Sequence, residues 1–281
     1  MIDEQPRAER APMMRIDPHV HTLASDGIDD VEAMLEAAIA RGLDAIGITD
    51  HERMDAAVAA RAIAEDRGLP IEVIVGEEIS TRGGHLLGLF MKKRIRPWHS
   101  LKRSIAMIHE QGGLAILAHP LPPYPLCAGE RSIRKLMDEA DPVYHPDGME
   151  GFNPTTARMR WSHKAAALAE ELGIAATAGS DAHKAANVGA AVTIYKGTRA
   201  ADLRAALEAR DTAWQGEPYT WQNQLRMFGQ QQRKNLAAVA DELGGKLRRD
   251  GTGRDLGYPG SRARPVRFDR AAACLPKDDR V

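Results

Sequence analysis

Cysteine is nearly absent from this chain: Cys127 and Cys274 are the only two among 281 residues. They lie far apart and in no metal-type spacing, which argues against a disulfide framework or a thiolate metal site and reads as two free thiols in a reducing compartment. Aromatic residues are scarce at 5%, which removes most of the stacking surface that single-strand nucleic-acid binders use. Charge of either sign is not in excess, with 38 Lys and Arg against 39 Asp and Glu and a net charge of −1. No overall field therefore draws nucleic acid or a membrane. No apolar run approaches the length of a membrane span, and Met1 to Arg10 is charged and lacks the apolar centre of a signal peptide. The expectation is a cytoplasmic protein without a membrane partner, with one domain in the α/β-barrel size range plus an appendage.

Between residues 13 and 215 short β-type runs alternate with helical patterns. Strands are expected at Met14–Asp17, Ala45–Thr49, Glu72–Val75, Leu86–Phe90, Leu114–Ala118, Gly148–Phe152, Ile174–Ala178 and Ala191–Tyr195. Helices are expected at Asp29–Arg41, Asp55–Arg67, His99–Gln111, Thr155–Leu172 and Arg199–Ala209. Asp29 or Asp30 can cap the first helix and Gly42 stops it, and Gly173 stops the long helix after Leu172. Strands that are apolar throughout and alternate with helices point to a parallel sheet covered by helices, in seven or eight units that can close into a barrel. The proline-rich stretch Leu121 to Leu126 is expected to be an ordered loop. Residues 1–12 read as a tail, 216–249 as a polar C-terminal helix and 250–281 as a flexible tail. From Arg233 onward twelve Lys or Arg stand against seven Asp or Glu, a mild basic excess that a solvated helix and tail explain. The long helix could also pack against a second copy, so a homo-oligomer is possible.

Against these absences stands one abundance. Six of the ten histidines fall in short polar clusters at the ends of the expected strands. The clusters are His19-Val20-His21 with Asp26 nearby, Asp50-His51, Glu77-Glu78 followed by His85, His119-Pro120, and Asp181-Ala182-His183. Strand alternation sends side chains i and i+2 to one face, so His19 and His21 can share a centre, as can Asp181 and His183. Of Glu77 and Glu78, alternation turns only one inward. Taken singly, each cluster has an ordinary explanation: Asp26 as a turn residue, His51 as the start of a helix. Taken together, histidine and carboxylate at the strand ends of a barrel, without thiolate, form a donor set suited to hydrolysis at several metal ions. His99, His109, His145 and His163 lie in helices or loops and look ordinary.

The ordered pieces Asp17-Pro18-His19-Val20-His21-Thr22, Ser25-Asp26-Gly27, Ile48-Thr49-Asp50-His51, Gly76-Glu77-Glu78-Ile79-Ser80, His85-Leu86-Leu87-Gly88, Gly112 to Pro120 and Gly179-Ser180-Asp181-Ala182-His183 resemble the PHP (polymerase and histidinol phosphatase) domain over about residues 14 to 215. The resemblance implies a distorted seven-stranded β/α barrel with a C-terminal helical extension. It also implies metal positions at His19, His21, Asp26, His51, Glu78, His85, His119, Asp181 and His183, with none missing. By it, His19, His21, Glu78 and Asp181 hold a first ion, and Glu78 bridges to a second at His85 and His119. Asp26, His51 and His183 then gather around a third position. Departures are Pro18 in place of an aliphatic residue, the short spacing from Glu78 to His85, which suggests a trimmed hairpin, and the proline-rich loop.

Two or three divalent ions, Mn²⁺, Fe²⁺ or Zn²⁺, fit a donor set of nitrogen and oxygen alone. Such a cluster neutralises phosphate oxygens and supplies metal-activated hydroxide near neutral pH. The expected activity is hydrolysis of a phosphate ester of a small metabolite or nucleotide, with Glu78, Asp181 and His183 as catalytic residues. Lys184, beside His183, and Asn153, Arg158, Arg160, His163 and Lys164 are candidates for gripping substrate oxygens. An exonuclease that trims nucleic-acid ends with help from the basic C-terminal region is the alternative within the same family. A structural or sensing metal module is the non-enzyme alternative, disfavoured by the absence of cysteine ligands. Carbon–nitrogen hydrolysis in a related barrel would need a lysine at an inner strand end, where only Lys184 comes near.

Overall fold

The structure is a computed structural model and describes residues 12–156 and 159–220. Arg158, Cys274, most of the expected N-terminal tail, all but the first residues of the expected C-terminal helix, and the expected tail 250–281 lie outside the described residues. Residues 217–220 carry no helix.

Nine strands form one sheet among the described residues: β1 (Met13–Val20), β2 (Ala45–Ile48), β3 (Glu72–Thr81), β4 (Gly84–Leu89), β5 (Leu114–Leu117), β6 (Gly148–Phe152), β7 (Ala175–Ala178), β8 (Ala191–Lys196) and β9 (Thr212–Gly216). Their order is β7-β6-β5-β4-β3-β2-β1-β8-β9. The two ends of this row approach each other. Thr193 Oγ1 donates to Ala178 O at 2.8 Å and Thr212 Oγ1 donates to Ala176 O at 2.8 Å, so side chains bridge the seam of a nearly closed barrel.

The sheet departs from the parallel arrangement expected of it. β1, β2 and β3 run parallel, as do β5, β6 and β7, but β4 is antiparallel to both of its neighbours. The cause is the trimmed hairpin: Thr81 pairs with Gly84, leaving only Arg82 and Gly83 to turn the chain, and so short a connection can join only antiparallel strands. β8 and β9 form a second antiparallel pair beside β1. β9 is missing from the sequence reading because it is a half-exposed edge strand with only Trp214 as a large apolar residue.

Among the described residues six helices cover the barrel: α1 (Val31–Ala40), α2 (Asp55–Asp66), α3 (Leu101–His109), α4 (Glu130–Met137), α5 (Met159–Leu172) and α6 (Leu203–Ala209). Asp30 caps α1 by accepting from Ala33 N at 2.9 Å, while Asp29 instead accepts from Ala185 N. Gly42 and Gly173 end their helices at φ +65° and +67°, the left-handed region that a β-carbon disfavours. α4 is the one helix absent from the sequence reading. It buries only Ile133 and Leu136, too few apolar positions to mark a period. Ile46, Ile48 and Val75 pack outward on Met34, Leu35, Ala38 and Ala60 of α1 and α2. Ile16, Ala45, Ile74, Leu87, Ile116 and Ala175 gather inside, together with Leu203 and Leu207 of α6. The interior is thus filled by side chains, and polar groups collect at the ends of the strands.

One pH-sensitive tie lies away from those ends. His109 Nε2 faces Asp147 Oδ2 at 2.9 Å and Nδ1 faces Val143 O at 2.8 Å, an arrangement suited to the doubly protonated ring. Burial pulls this imidazole down, but Asp147 and the carbonyl outweigh it and hold it above its ordinary value of 6.5. The folded state therefore binds the proton more tightly than the unfolded chain does. The stability gained is complete below about pH 6.5 and is lost as pH rises through the raised value. Thermal melts from pH 6 to 9 should fall in the wild type, and His109→Gln should flatten that slope.

Candidate metal centre

The strand ends carry nine side chains to one place. β1 delivers His19, and His21 follows one residue past its last pair, where His21 N donates to Ala182 O at 2.9 Å. The register of β1 against β2 shifts between Asp17 and Val20. Even so, the Nε2 atoms of His19 and His21 stand 3.1 Å apart, and both side chains are fully buried. His51 follows β2 and bridges to Glu78 on β3. His85 heads β4, His119 follows β5, and Asp181 and His183 follow β7. Asp26 comes from the loop after β1, which Asp50 pins by accepting from Thr22 N, Thr22 Oγ1 and Ser25 N.

Three overlapping donor groups result, each with its ligand atoms within 4.8 Å of one another: His19, His21 and Asp181; His51, Glu78 and His85; and His21, Asp26, His51 and His183. Glu78 joins them through its two oxygens. Oε2 lies 3.3 Å from His19 Nε2, 3.1 Å from His21 Nε2 and 3.3 Å from His51 Nδ1, whereas Oε1 lies 2.9 Å from His85 Nδ1 and 3.2 Å from His119 Nε2. Asp181 Oδ1 is 3.2 Å from His21 Nε2, and His183 Nε2 is 3.0 Å from Asp26 Oδ2. His21 and His51 each face two groups, a sharing that spacing along the chain does not reveal. Glu77, the competing carboxylate, points the other way. It accepts from Ile95 N at 2.9 Å, and burial pushes it up to about 8.

Electrostatics bind the cluster together. Burial would raise Glu78 and Asp181, but the surrounding imidazoles hold both well below the usual carboxylate range. Burial would lower His21, yet Asp181, Glu78 and Asp26 carry it to about 10. Six imidazoles and three carboxylates packed this closely are a natural cage for cations. The fit has a sharper sign: among the described residues His21 Nδ1 is buried with no hydrogen-bond partner, 3.6 Å from Asp26 Oδ1, an orphan lone pair that a cation bound beside it would explain. Nitrogen and oxygen donors alone suit Mn²⁺, Fe²⁺ or Zn²⁺.

Backbone strain collects here as well. His119 has φ +28° and Asp181 φ +52°, conformations that side-chain-bearing residues keep only when neighbours hold them. The neighbours are residues to which the sequence reading gives no part in the site. Glu150 takes His19 Nδ1, His119 N and Asn153 Nδ2. Thr155 Oγ1 donates to Asp181 Oδ2 at 2.9 Å. Buried Asp17, pushed up to about 6 by burial, accepts from Ser180 N and Gly189 N. Cys127 Sγ lies 3.4 Å from His119 Nδ1. Glu150 and Asp17 carry a faint sequence signal, a lone carboxylate inside an otherwise apolar strand.

The candidates for gripping substrate are more scattered. Lys184 is half-buried directly after His183. Asn153 is buried, with its amide given to Glu150 and its oxygen to Thr155, so it is spent inside the protein rather than offered to a substrate. Arg160, His163 and Lys164 are exposed on α5, and Arg160 and Lys164 lie over the Trp161 ring at 4.9 and 5.1 Å.

The described fold and this centre are those of a mixed α/β barrel with a polynuclear donor set at its strand ends. The family model for the PHP domain matches residues 17–139 and that for the PHP-associated region matches residues 160–212. The chain is 32% identical over 149 residues to the uncharacterized protein MJ1587 of Methanocaldococcus jannaschii, covering 48% of this chain and 86% of that one. It is 38% identical over 79 residues to a phosphoribosyl 1,2-cyclic phosphate 1,2-diphosphodiesterase of Eggerthella lenta (26% and 29% of the two chains). It is 31% identical over 106 residues to a 5'-3' exoribonuclease of Haemophilus influenzae (36% and 38%). The chain thus spans well under half the length of both named enzymes. A two-domain protein of Bacteroides vulgatus containing a predicted PHP-like metal-dependent phosphoesterase shares the fold, with a TM-score of 0.61 at 21% identity over 79% of this chain and 70% of that one. The chain belongs to the PHP domain family. It is a hydrolase of that family's metal-dependent phosphoesterase class. Among the described residues, no helix is long and apolar enough to cross a membrane.

Proposed function

We propose that this chain hydrolyses the phosphate ester of a small metabolite or nucleotide at two or three divalent ions, Mn²⁺, Fe²⁺ or Zn²⁺. The observation that carries the proposal is the sharing of His21 and His51 among three donor groups, with the two oxygens of Glu78 facing imidazoles of all three. A closed structural site uses one set of four ligands, whereas an overlapping set places ions side by side, as phosphoryl chemistry requires. His19, His21 and Asp181 would hold one ion, and Glu78, His51, His85 and His119 a second. Asp26 and His183, with His21 and His51, would hold a third. When bound, the ions would neutralise the phosphate oxygens and make water acidic enough to attack.

The chain's own groups would do the rest. Glu78 keeps its two oxygens directed to separate groups of imidazoles and so fixes their spacing. His183 gives its Nδ1 proton to Asp181 O at 2.9 Å, leaving Nε2 directed at Asp26 and the centre. Thr155 holds Asp181 Oδ2, which leaves Oδ1 facing the reacting region. Lys184, adjacent to His183, would take a non-reacting phosphate oxygen; Arg158 and Arg160 are weaker candidates for the same task.

The test measures phosphate release from an aryl phosphate, nucleoside monophosphates, nucleoside bisphosphates and short oligonucleotides. The expected result is turnover of the mononucleotide or aryl esters that is lost with a chelator and regained with Mn²⁺. Turnover of oligonucleotides alone, falling steeply with salt, would replace this activity with the trimming of nucleic-acid ends. Metal uptake without hydrolysis of any ester would favour a structural or sensing module.

A further inference from the structure

Glu150 sits on β6 with 1% of its surface exposed and bonds to two members of the donor set, His19 and His119. Its Oε1 lies 2.8 Å from His19 Nδ1, and its Oε2 accepts from His119 N at 2.7 Å and from Asn153 Nδ2 at 2.8 Å. One carboxylate therefore receives three donors from three strand ends. We propose that Glu150 is a positioning residue that fixes the imidazole of His19 with its proton on Nδ1 and pins the strained turn at His119, so that both rings present Nε2 to the centre. This rests on the metal-centre proposal above.

The physical case is one of donor and acceptor counting. A histidine binds a metal through a ring nitrogen that carries no proton, so the proton must reside on the other nitrogen, and a carboxylate beside that nitrogen keeps it there. With Nδ1 held by Glu150, His19 Nε2 is left free at 3.1 Å from His21 Nε2 and 3.5 Å from Asp181 Oδ1. The same carboxylate holds the amide of His119, whose φ of +28° needs an anchor. Glu150 thus ties together His19 and His119, which would serve neighbouring ions. The surroundings have kept room for it: a β-carbon on Gly179 would fall 2.5 Å from His19 Cβ and 2.7 Å from Glu150 Oε1, so the contact between these two side chains depends on a glycine there.

Glu150→Gln keeps shape but offers only one accepting end. The amide oxygen can satisfy His119 and Asn153 only by turning its NH₂ toward His19 Nδ1, which moves the His19 proton to Nε2 and blocks ligation. The expected result is a 10- to 100-fold weaker affinity for one Zn²⁺ equivalent in direct titration, with a lower kcat on an aryl phosphate and a nearly unchanged KM. In the Zn²⁺-loaded wild type, ¹⁵N spectra of the histidines should show His19 protonated at Nδ1, and that signal should be lost in the variant. Asn153→Ala, which removes one donor but leaves His19 alone, should lower the melting temperature and keep the Zn²⁺ affinity. Equal Zn²⁺ affinity in wild type and Glu150→Gln, or equal weakening in Asn153→Ala, overturns the positioning role. If Glu150→Gln does not fold, Glu150→Asp decides, since its shorter carboxylate cannot reach His19 and His119 together; wild-type affinity there also overturns it. A wild type that takes up no Zn²⁺, Mn²⁺ or Fe²⁺ instead refutes the metal-centre proposal itself.

Discussion

Asp181→Ala should lower the turnover of an aryl phosphate by roughly 10³-fold or more while leaving the chain folded. The carboxylate stands 3.2 Å from His21 Nε2 and 3.5 Å from His19 Nε2, and its other oxygen is held by Thr155. Removing it takes away the anion of the first donor group and leaves two imidazoles with little reason to share a cation. A bound ion that stabilises transition-state charge is worth several kcal/mol, and each ~1.4 kcal/mol is tenfold in rate, which sets the size of the loss. The fold should survive because Asp181 is not part of any apolar cluster, and alanine adds no bulk at its left-handed backbone. Circular dichroism and a thermal melt beside the assay separate the two effects. Full activity in the variant would refute the assignment of Asp181 to the centre.

Phe152→Ala should destabilise the protein by about 3–5 kcal/mol, the usual cost of emptying a buried aromatic site. Phe152 is 2% exposed at the end of β6, stacks on Trp214 of β9 with ring centroids 5.1 Å apart, and packs with Ala178 and Ala191. It fills the place where the barrel closes without a continuous backbone ladder, so the cavity left by alanine cannot be covered by neighbouring strand bonds. Denaturant unfolding reads the change as a lower midpoint with an unchanged slope. A shift below ~1 kcal/mol would mean that the seam does not depend on this stack.

The two predictions probe the parts of the molecule that were respectively easiest and hardest to read from sequence. The strand ends were legible because a ligand must come from a position that also ends an apolar run. His19, His51, His119 and Asp181 carry both signals at once. β6 was placed at its observed bounds, and α1 and α5 to within a few residues, since their caps and glycines are local chemistry. The antiparallel turn at Arg82-Gly83 announced itself only as a short spacing, and β9 not at all, because an edge strand with alternate exposed residues has no run to detect. Glu150, Asp17 and Thr155 escaped for a different reason. Each acts on a residue more than 25 positions away in the chain, and a partner at that distance leaves no pattern in either sequence segment. Asn153 was picked out correctly as a residue at a strand end, but its neighbours decide what it faces, and they turn it inward.

The pairing of β1 with β8 carries a consequence for how the molecule comes into being. Met13 pairs with Lys196, His21 N bonds Ala182 O, and Asp17 receives Ser180 N. The first strand therefore finds one of its two sheet neighbours only after some 180 further residues have been made. Contacts of such long range form late, since chain entropy must be spent before they return anything. A ribosome-bound chain that has emerged only as far as β7 already holds His19, His21 and Glu78, yet has neither Asp181 nor His183 to complete their company. The donor set is consequently complete only after β7 and the residues that follow it have emerged: the ions it would accept can join the two ends of the barrel, but only in a molecule whose ends have already met.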